Sequence, residues 1–215
     1  MLAAVAGLYP VINYLRANTA AYDQIAPVFR GMATPSSIPN NLSAYAHRLI
    51  AHVGTAGKLI DVGCGVGNNI SWFATCGVQV VGIDLSMGML QLAQQETDQP
   101  LSRMSMLSLG FADHTFAAAW CCASLLHLPK DIAPVALSEI ARVVKPSGLL
   151  MLSIQVGDGE TWNGGYVEGV KRFFARYQLP EMTALLQSAG FDVIEHREDI
   201  NGDRTWLAML CQVQQ

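Results

Sequence analysis

The sequence predicts a doubly wound α/β fold, in which helices cover both faces of a mostly parallel sheet. Short β-rich runs alternate along the chain with runs whose apolar residues recur at helical spacing, and this alternation is typical of parallel sheets. A glycine-dense turn at 63–67 separates the first β-rich run from the next helix. Near the C-terminus, Asn201-Gly202 joins two β-rich runs. This hairpin signal predicts one antiparallel strand.

The first strand and its neighbouring helices follow from periodicity and from glycine positions. A helix is expected over 41–53, because six apolar residues recur at helical spacing and Gly54 follows them. Residues 58–62 form a short β-rich run that leads into the glycine turn. After the turn, 68–76 has a helical pattern that ends at Gly77.

The pattern of a strand followed by a helix then repeats along the chain. Residues 79–84 are expected to form the second strand, and Ser86 to cap a helix that runs to about Thr97. The runs 102–107 and 116–122 predict the third and fourth strands.

The next helix has its apolar residues on one face, and we expect Asp131 to cap it. Residues 146–148, Pro-Ser-Gly, are expected to end this helix before a fifth strand at 149–155. The polar, glycine-rich stretch 157–165 that follows is predicted to be a mobile loop.

Two helices and the closing hairpin complete the chain. Helices are predicted over 166–177 and 180–189, the second with a proline in its first turn and Gly190 as its end. Strands are predicted at 191–197 and 204–213.

Length and composition favour a single domain with a sizeable core. The chain has 215 residues, of which 51% are hydrophobic and 14% charged, and this excludes a mainly disordered chain. The formal net charge is −4, and Lys and Arg residues form no cluster. Because nucleic-acid grooves bind by neutralising phosphates, no nucleic-acid partner is expected.

Cysteine usage and the N-terminal residues predict a location. The five cysteines show neither a CxxC pair nor disulfide spacing, which favours a reducing cytoplasm and no metal site. The apolar stretch 1–12 is shorter than the roughly 20 residues of a membrane span. Its first basic residue, Arg16, comes too late for a secretory signal. We therefore expect a cytoplasmic protein without a membrane span, whose first residues form a helical extension.

The glycine turn and the end of the second strand predict a nucleotide-like cofactor. Between strand and helix the chain has Asp61-Val-Gly-Cys-Gly-Val-Gly-Asn68, where backbone without Cβ atoms and free helix N–H groups admit a ligand. Dinucleotide sites use GxGxxG, whereas the third glycine here comes one residue earlier. Asp84 ends the second strand, where a carboxylate accepts hydrogen bonds from a ribose. A carboxylate at this position also binds the ribose of nicotinamide cofactors, so Asp84 does not distinguish between the cofactor classes.

Three segments together resemble the class I S-adenosylmethionine-dependent methyltransferases, and in particular their small-molecule, type 11-like branch. In order, they read LIDVGCGVGNN, VVGIDLS and LSEIARVVKPSGLLMLSI. The resemblance implies a seven-stranded sheet of order 3-2-1-4-5-7-6 with strand 7 antiparallel. It also implies an N-terminal extension and lid helix over 1–37, followed by the S-adenosylmethionine-binding domain over 38–215.

The resemblance also implies which residues bind S-adenosyl-L-methionine. Asp61 and the backbone of the glycine turn would hold the methionine end, Asp84 the ribose and Leu85 the adenine. Where relatives often place an acidic residue against the adenine, this chain has Ser105-Met106. It also has Ala117 where relatives commonly have Asp, and Ser147 where they have Gly. The implied cofactor set is Tyr22, Asp61, Gly63, Cys64, Gly65, Gly67, Asn68, Asp84, Leu85, Ser105, Met106 and Cys122.

The acceptor side is expected after the fourth strand, in the segment 121–129. It lacks the Asn/Asp-Pro-Pro-Tyr sequence that marks amino-group methylation of nucleobases, and it resembles small-molecule enzymes with a loop His, here His127. That residue is either a general base or a polar group that orients the acceptor. Tyr22 lies in a segment that resembles a lid helix of this branch. Arg172 either closes the pocket or binds an acidic acceptor, unless it is a solvated helix residue.

The predicted function is transfer of a methyl group from S-adenosyl-L-methionine to a small-molecule acceptor by in-line displacement, which releases S-adenosyl-L-homocysteine. Positioning is expected to dominate catalysis. Two other functions remain open: a nicotinamide-dependent oxidoreductase, and a non-catalytic S-adenosylmethionine-binding protein, which the departures at Ser105 and Ala117 would fit. The chain is expected to act as a monomer or homodimer.

Overall fold

In a computed structural model, the structure describes residues 2–32 and 38–215. The expected boundary between extension and domain, at 37/38, adjoins residues 33–37, which lie outside the described residues. Within the described ranges, no helix is both long and apolar enough to cross a bilayer. The helices are α1 (Leu2–Met32), α2 (Ser43–Val53), α3 (Asn68–Thr75), α4 (Met87–Glu96), α5 (Ala133–Val143) and α6 (Leu179–Ser188).

Within residues 2–32 and 38–215, nine strands form two sheets. Seven of them make the central sheet, in the order β3-β2-β1-β4-β5-β9-β8, and β6 pairs with β7 alone. The strands are β1 (Lys58–Val62), β2 (Gln79–Asp84), β3 (Leu101–Arg103), β4 (Phe116–Cys122), β5 (Val144–Gln155), β6 (Glu160–Asn163), β7 (Arg172–Ala175), β8 (Phe191–Asn201) and β9 (Arg204–Val213).

The central sheet confirms the predicted topology. Its first five strands are parallel, and β9 runs antiparallel to both β5 and β8. Numbered within this sheet alone, the strand order is 3-2-1-4-5-7-6, as expected. The closing hairpin turns at Gly202, whose φ of 63° is accessible to glycine without strain.

Two apolar cores cover the faces of the sheet. On one face, α5 and α6 pack on β4, β5 and β9, and on the other face α2 and α3 cover β1, β2 and β4. Strand β4 has two large residues, Phe116 and Trp120, and both are fully buried. Trp120 packs edge-on against Phe73 with ring centroids 5.2 Å apart. Because both faces are covered, ligands can reach only the edge where the parallel strands end.

The segment between β5 and α6 differs from the prediction. Residues 166–177 are not a helix, since β7 lies within them, and the expected loop 157–165 contains β6. The two strands pair antiparallel, with Trp162 opposite Phe173. Both aromatic rings pack against Tyr14 of α1, with centroids 5.8 and 5.1 Å from its ring. This contact with a distant helix stabilises the hairpin and has no signature in local periodicity.

Other boundaries differ in smaller ways. Strand β3 has three residues, and the chain turns after it, with the Leu107 N–H donating to Ser105 Oγ at 3.2 Å. Ser86 caps α4 as predicted, accepting from the Met89 N–H at 3.1 Å. Asp131 does not cap α5, because that helix begins after Ile132.

The predicted helix end at 146–148 is instead part of β5. These residues lie in the strand near an irregularity in its pairing with β4. Ser147 has a φ of 62°, in the left-handed region. Glycine adopts this conformation without the steric cost that other residues bear, which explains why glycine suits this position.

Arg142 ties the chain between β3 and β4 to α5. Its guanidinium donates to the carbonyl oxygens of Leu109 and Phe111 at 2.7 and 2.8 Å. It also pairs with Glu139 at 2.8 Å, and Glu139 accepts from the Leu109 N–H at 2.7 Å. The Arg142 hydrogen bond holds the pKa of Glu139 below its usual range. Glu139 and Arg142, which form the E-x-x-R part of the third motif, therefore hold this loop against α5.

We predict that Arg142→Ala lowers the free energy of unfolding by about 1–3 kcal/mol, because charge-assisted hydrogen bonds to two carbonyls are lost. Hydrogen exchange of the Leu109 amide should accelerate as the loop detaches. Arg48→Ala is the control, since it removes an exposed ion pair with Glu195 and exposed pairs contribute little. If both variants had the same free energy of unfolding and the same exchange rate at the Leu109 amide, Arg142 would not hold the loop against α5.

Candidate active site

A cavity of about 590 Å³ opens at the carboxyl ends of the parallel strands. Strand ends, the glycine turn, α1 and the β6–β7 region all contribute to its wall. Of the residues expected at the cofactor or the acceptor, eleven line it and two, Asp61 and Gly67, do not. The eleven are Tyr22, Gly63, Cys64, Gly65, Asn68, Asp84, Leu85, Ser105, Met106, Cys122 and His127.

The glycine turn is fastened to β2 by its own backbone. The N–H groups of Gly63 and Cys64 both donate to the Ile83 carbonyl oxygen, at 2.8 and 2.9 Å. A Cβ on Gly63 would lie 2.3 Å from the Ser124 Cβ, so packing requires glycine there. A Cβ on Gly65 would meet no atom within 4 Å. Space for a ligand therefore lies at Gly65.

Asp84 is held in place by backbone donors. Its Oδ2 accepts from the Gly65 N–H at 2.9 Å, and its Oδ1 accepts from the Ser86 N–H at 2.8 Å. Burial raises the pKa of this carboxyl, and the backbone hydrogen bonds oppose that rise. Each oxygen keeps a lone pair for a further donor, and the side chain lines the cavity. This geometry suits a ligand with adjacent hydroxyl groups.

Asp61 is a buried carboxylate with an unused acceptor. The residue is 1% exposed, and its Oδ2 has no hydrogen-bond partner among the described residues. Burial, with a contribution from the nearby charge of Asp84, raises its pKa to about 8. An unpaired buried acceptor is costly, and a ligand cation beside the turn would compensate it. The site thus fits a cofactor with an ammonium group near the glycine turn.

The strip of wall after β3 is largely apolar. Met104, Ser105 and Met106 line it, and the Ser105 Oγ is occupied by the Leu107 N–H. Leu85 lies beside them, and its carbonyl oxygen accepts from Arg103 Nε at 3.0 Å. This strip offers an apolar surface on which a flat heterocycle can pack, in place of a charged partner.

His127 and Tyr22 form a hydrogen-bonded pair at the other end of the cavity. His127 Nδ1 lies 2.7 Å from the Phe173 carbonyl oxygen, which can only accept, so Nδ1 carries the proton. Nε2 is then the acceptor, and the Tyr22 hydroxyl donates to it at 2.5 Å. Burial lowers the pKa of His127 to about 4 and raises that of Tyr22 to about 12. Both side chains are therefore neutral at physiological pH.

Arg172 lies next to this pair and is buried, at 7% exposure. Its Nη1 lies 3.4 Å from the Tyr22 hydroxyl oxygen, and aromatic rings surround its guanidinium. Since β7 is a strand, Arg172 and Phe174 share one side and both line the cavity. Of the three interpretations of Arg172, the solvated helix residue is wrong.

Cysteines in and near the wall are not nucleophiles. Burial raises the pKa of Cys121 to about 11 and that of Cys122 to about 12, and raises that of Cys64 as well. A thiol with a raised pKa is protonated and unreactive at neutral pH. Across the described ranges, no group of three His, Cys, Asp or Glu side chains is placed to hold a metal ion.

Some cavity residues were missed from the sequence. Asn18 of α1 accepts from the Phe173 N–H through its Oδ1 at 3.0 Å, and it lies one helical turn before Tyr22. That i, i+4 spacing of two polar residues on one face was the available signal. Gln155, Tyr166 and Trp206 also line the cavity. Gln155 ends the predicted strand β5, at the carboxyl edge of the sheet. The sequence carries no signal for Tyr166 and Trp206, because the β6–β7 hairpin and β9 bring them there.

We predict that Asp61→Asn stabilises the protein at pH 8. The folded-state pKa of Asp61 is raised, so its contribution to stability is present below about pH 4 and is lost as the pH rises through about 8. The melting temperature of Asp61→Asn should exceed that of the wild type by at least about 2 °C at pH 8, which corresponds to roughly 1 kcal/mol.

The difference should shrink at pH 5, and calorimetric melting at both pH values measures it. Asp98→Asn, which alters an exposed carboxylate, is the matched control. If the melting temperatures of the wild type and Asp61→Asn changed with pH in parallel, the buried Asp61 carboxyl would not destabilise the protein at pH 8.

Known proteins that are similar to this chain are methyltransferases. Residues 60–152 match a family described as "Methyltransferase domain". An O-methyltransferase of Aspergillus nomiae is 34% identical over 152 residues, which are 64% of this chain and 65% of the relative. The match thus spans just under two thirds of that relative's length. A methyltransferase of Streptomyces halstedii is 29% identical over 203 residues, 81% of this chain and 72% of the relative.

Solved structures share the fold. The 1,6-didemethyltoxoflavin-N1-methyltransferase of Burkholderia thailandensis, with 1,6-didemethyltoxoflavin and S-adenosylhomocysteine bound, superposes with a TM-score of 0.76. It is 20% identical, and the match covers 95% of this chain and 91% of that one. The motifs, the strand order and these matches agree: residues 60–152 are similar to the methyltransferase-domain family, and the chain shares the fold of solved S-adenosylmethionine-dependent methyltransferases.

Proposed function

We propose that this protein transfers a methyl group from S-adenosyl-L-methionine to a small-molecule acceptor. The observation that carries the proposal is one cavity with two different ends. At one end the open Gly65 backbone lies beside the fixed carboxylate of Asp84. At the other end a neutral Tyr22–His127 pair faces the same space. The first end suits a nucleoside cofactor and the second a reacting group.

In this proposal the cofactor lies along the carboxyl edge of the sheet. Asp84 accepts from the ribose hydroxyls, while Leu85 and Met106 pack against the adenine. The Oδ2 of Asp61, which has no partner among the described residues, would accept from the methionine ammonium group, and the positive charge of that group would lower the raised pKa of Asp61 and ionise it. Asn68 and the backbone at Gly63–Gly67 supply further hydrogen bonds to the methionine end.

Relatives support a small-molecule acceptor. The Aspergillus nomiae protein is named as an O-methyltransferase, and the Burkholderia thailandensis enzyme was solved with a small heterocyclic acceptor and S-adenosylhomocysteine. In this chain, aromatic and apolar side chains line the acceptor end, among them Leu126, Phe174 and Trp206. Such a wall suits an organic molecule with apolar surface.

The reaction needs positioning more than acid–base strength. S-adenosyl-L-methionine supplies an electrophilic methyl group on a sulfonium, whose positive charge disappears as the S–CH₃ bond breaks and the acceptor–CH₃ bond forms. Holding the acceptor in line is worth roughly 7–11 kcal/mol. Helix α1 contributes to this through Tyr22 and through its packing on the β6–β7 hairpin, and it closes the cavity against water as a lid.

For a hydroxyl acceptor, Tyr22 and His127 provide a route for the proton. The acceptor O–H donates to the Tyr22 oxygen while the Tyr22 proton moves to His127 Nε2, so the proton ends on the imidazole. His127 is a weak base because burial lowers its pKa to about 4. The pair therefore assists an acceptor that is already inclined to ionise, and His127 would only orient an amine acceptor.

We predict that calorimetric titration shows saturable binding of S-adenosyl-L-methionine and S-adenosyl-L-homocysteine, and no binding of NADH. Asp84→Ala should weaken both affinities by more than tenfold, because the ribose loses a charged acceptor. Gly65→Val should do the same by filling the space left at that position. Ser188→Ala, a change on exposed helix surface, is the control and should bind normally.

Wild-type affinity in both folded site variants would contradict the cofactor assignment. Binding of NADH alone would favour a nicotinamide-dependent oxidoreductase. Cofactor binding without turnover across a broad acceptor panel would favour a non-catalytic binder.

A further prediction concerns the proton route. His127→Gln should slow methyl transfer to a hydroxyl acceptor by roughly 10²–10⁴-fold, the usual contribution of a general base, while S-adenosyl-L-homocysteine affinity is unchanged. Nitrogen NMR should show the His127 ring neutral and protonated on Nδ1 from pH 8 down to pH 5. His52→Gln, on the exposed side of α2, is the matched control. Full activity of His127→Gln, or protonation of its ring near pH 6.5, would contradict the route.

A further inference from the structure

Within the described residues, Arg172 is a buried cation without a carboxylate partner. Its exposure is 7%, and it lines the cavity. Ion pairs in the described part of the chain all involve other residues. The guanidinium makes one long hydrogen bond, from Nη1 to the Tyr22 hydroxyl oxygen at 3.4 Å. An isolated buried charge is unfavourable unless something else compensates it.

The groups around Arg172 offset part of its charge but leave its donors free. The ring centroids of Tyr166 and Phe174 lie 4.4 and 4.9 Å from its Cζ, and that of Tyr22 lies 5.7 Å away. Aromatic faces attract a cation, yet they offer no lone pair in the plane of the guanidinium. Arginine carries five N–H donors in a planar fork that matches a carboxylate. Most of that fork is available to a ligand in the cavity.

The position of Arg172 places such a ligand at the reacting end. Its neighbour Phe173 accepts the His127 Nδ1–H through its carbonyl oxygen, and the Arg172 guanidinium contacts Tyr22, which donates to His127. The cofactor residues Asp61, Gly65 and Asp84 belong to other elements, at the ends of β1 and β2. An anion bound at Arg172 therefore lies beside the Tyr22–His127 pair.

We infer that the methyl acceptor carries an oxyanion, such as a carboxylate, and that Arg172 binds it at the point where the side chains of Tyr22, Tyr166 and Phe174 surround the guanidinium. This inference rests on the proposed function, because it concerns the second substrate of the same cavity. Binding of the oxyanion compensates the buried guanidinium and fixes the acceptor relative to the methyl group. Arg172 is a specificity-determining residue, and the acceptor's reacting atom lies elsewhere on the same molecule.

The test compares an acid with its neutral amide. Protein saturated with S-adenosyl-L-homocysteine is titrated calorimetrically with 4-hydroxybenzoate and with 4-hydroxybenzamide, which have similar shapes and differ in charge. Wild-type protein should bind the acid at least tenfold more tightly than the amide. Arg172→Met and Arg172→Gln should abolish this preference. Lys171→Met, which removes an exposed positive charge next to Arg172, should keep it.

Stability and cofactor affinity distinguish this role from a structural one. Without ligands, Arg172→Met should melt no lower than the wild type, because the uncompensated charge is gone. Its affinity for S-adenosyl-L-homocysteine should stay within threefold of the wild-type value. A lowered melting temperature with the acid preference intact would show that Arg172 is a structural anchor, and a loss of S-adenosyl-L-homocysteine affinity would assign it to the cofactor carboxylate; either result overturns the inference.

Equal binding of acid and amide by the wild type, or binding of neither, also overturns it. Failure of the wild type to bind S-adenosyl-L-homocysteine contradicts the proposed function instead. In that case the acid and amide are compared in the unloaded protein, so that the two failures remain distinct.

Discussion

The hydrogen bond from the Gly65 N–H to the Asp84 carboxylate joins the glycine turn to the end of β2, and the proposed cofactor site depends on it. Together with the bonds from Gly63 and Cys64 to the Ile83 carbonyl, it fastens the glycine turn of β1 to the end of β2. The turn can also lie close to the segment after β4, because Gly63 has no side chain to collide with Ser124. The cavity therefore has one rigid end, formed by the central strands of the sheet.

The opposite end is assembled from parts that are distant in sequence. Asn18 and Tyr22 come from α1, His127 follows β4, and Arg172 belongs to β7. A chain of contacts links them: Asn18 accepts from the Phe173 N–H, His127 donates to the Phe173 carbonyl, and Tyr22 donates to His127. The backbone of one strand residue, Phe173, therefore links α1 to the His127 end of the cavity.

Both ends contain polar groups that the fold alone does not satisfy. In the part of the chain that the structure describes, Asp61 keeps an acceptor without a partner, and Arg172 keeps a buried charge without a carboxylate. Arg142, by contrast, uses its donors fully within the protein, where it holds a loop on α5. The difference separates structural polar residues from those reserved for ligands. Unsatisfied groups of this kind are tolerated where a ligand completes them.

The sequence by itself determined the strands of the central sheet, the glycine turn and the positions of Asp61 and Asp84, because these follow from local patterns: short apolar runs, glycines at fixed spacing and an acidic residue at a strand end. The strand order followed from the resemblance of three segments to a known family. It also indicated Tyr22 and His127 as separate candidates. Only the tertiary structure decided that they bond to each other, and that 172–175 is a strand and not part of a helix. The physical reason is that the β6–β7 hairpin is stabilised by α1, more than 140 residues away in sequence, so local periodicity carries no record of it.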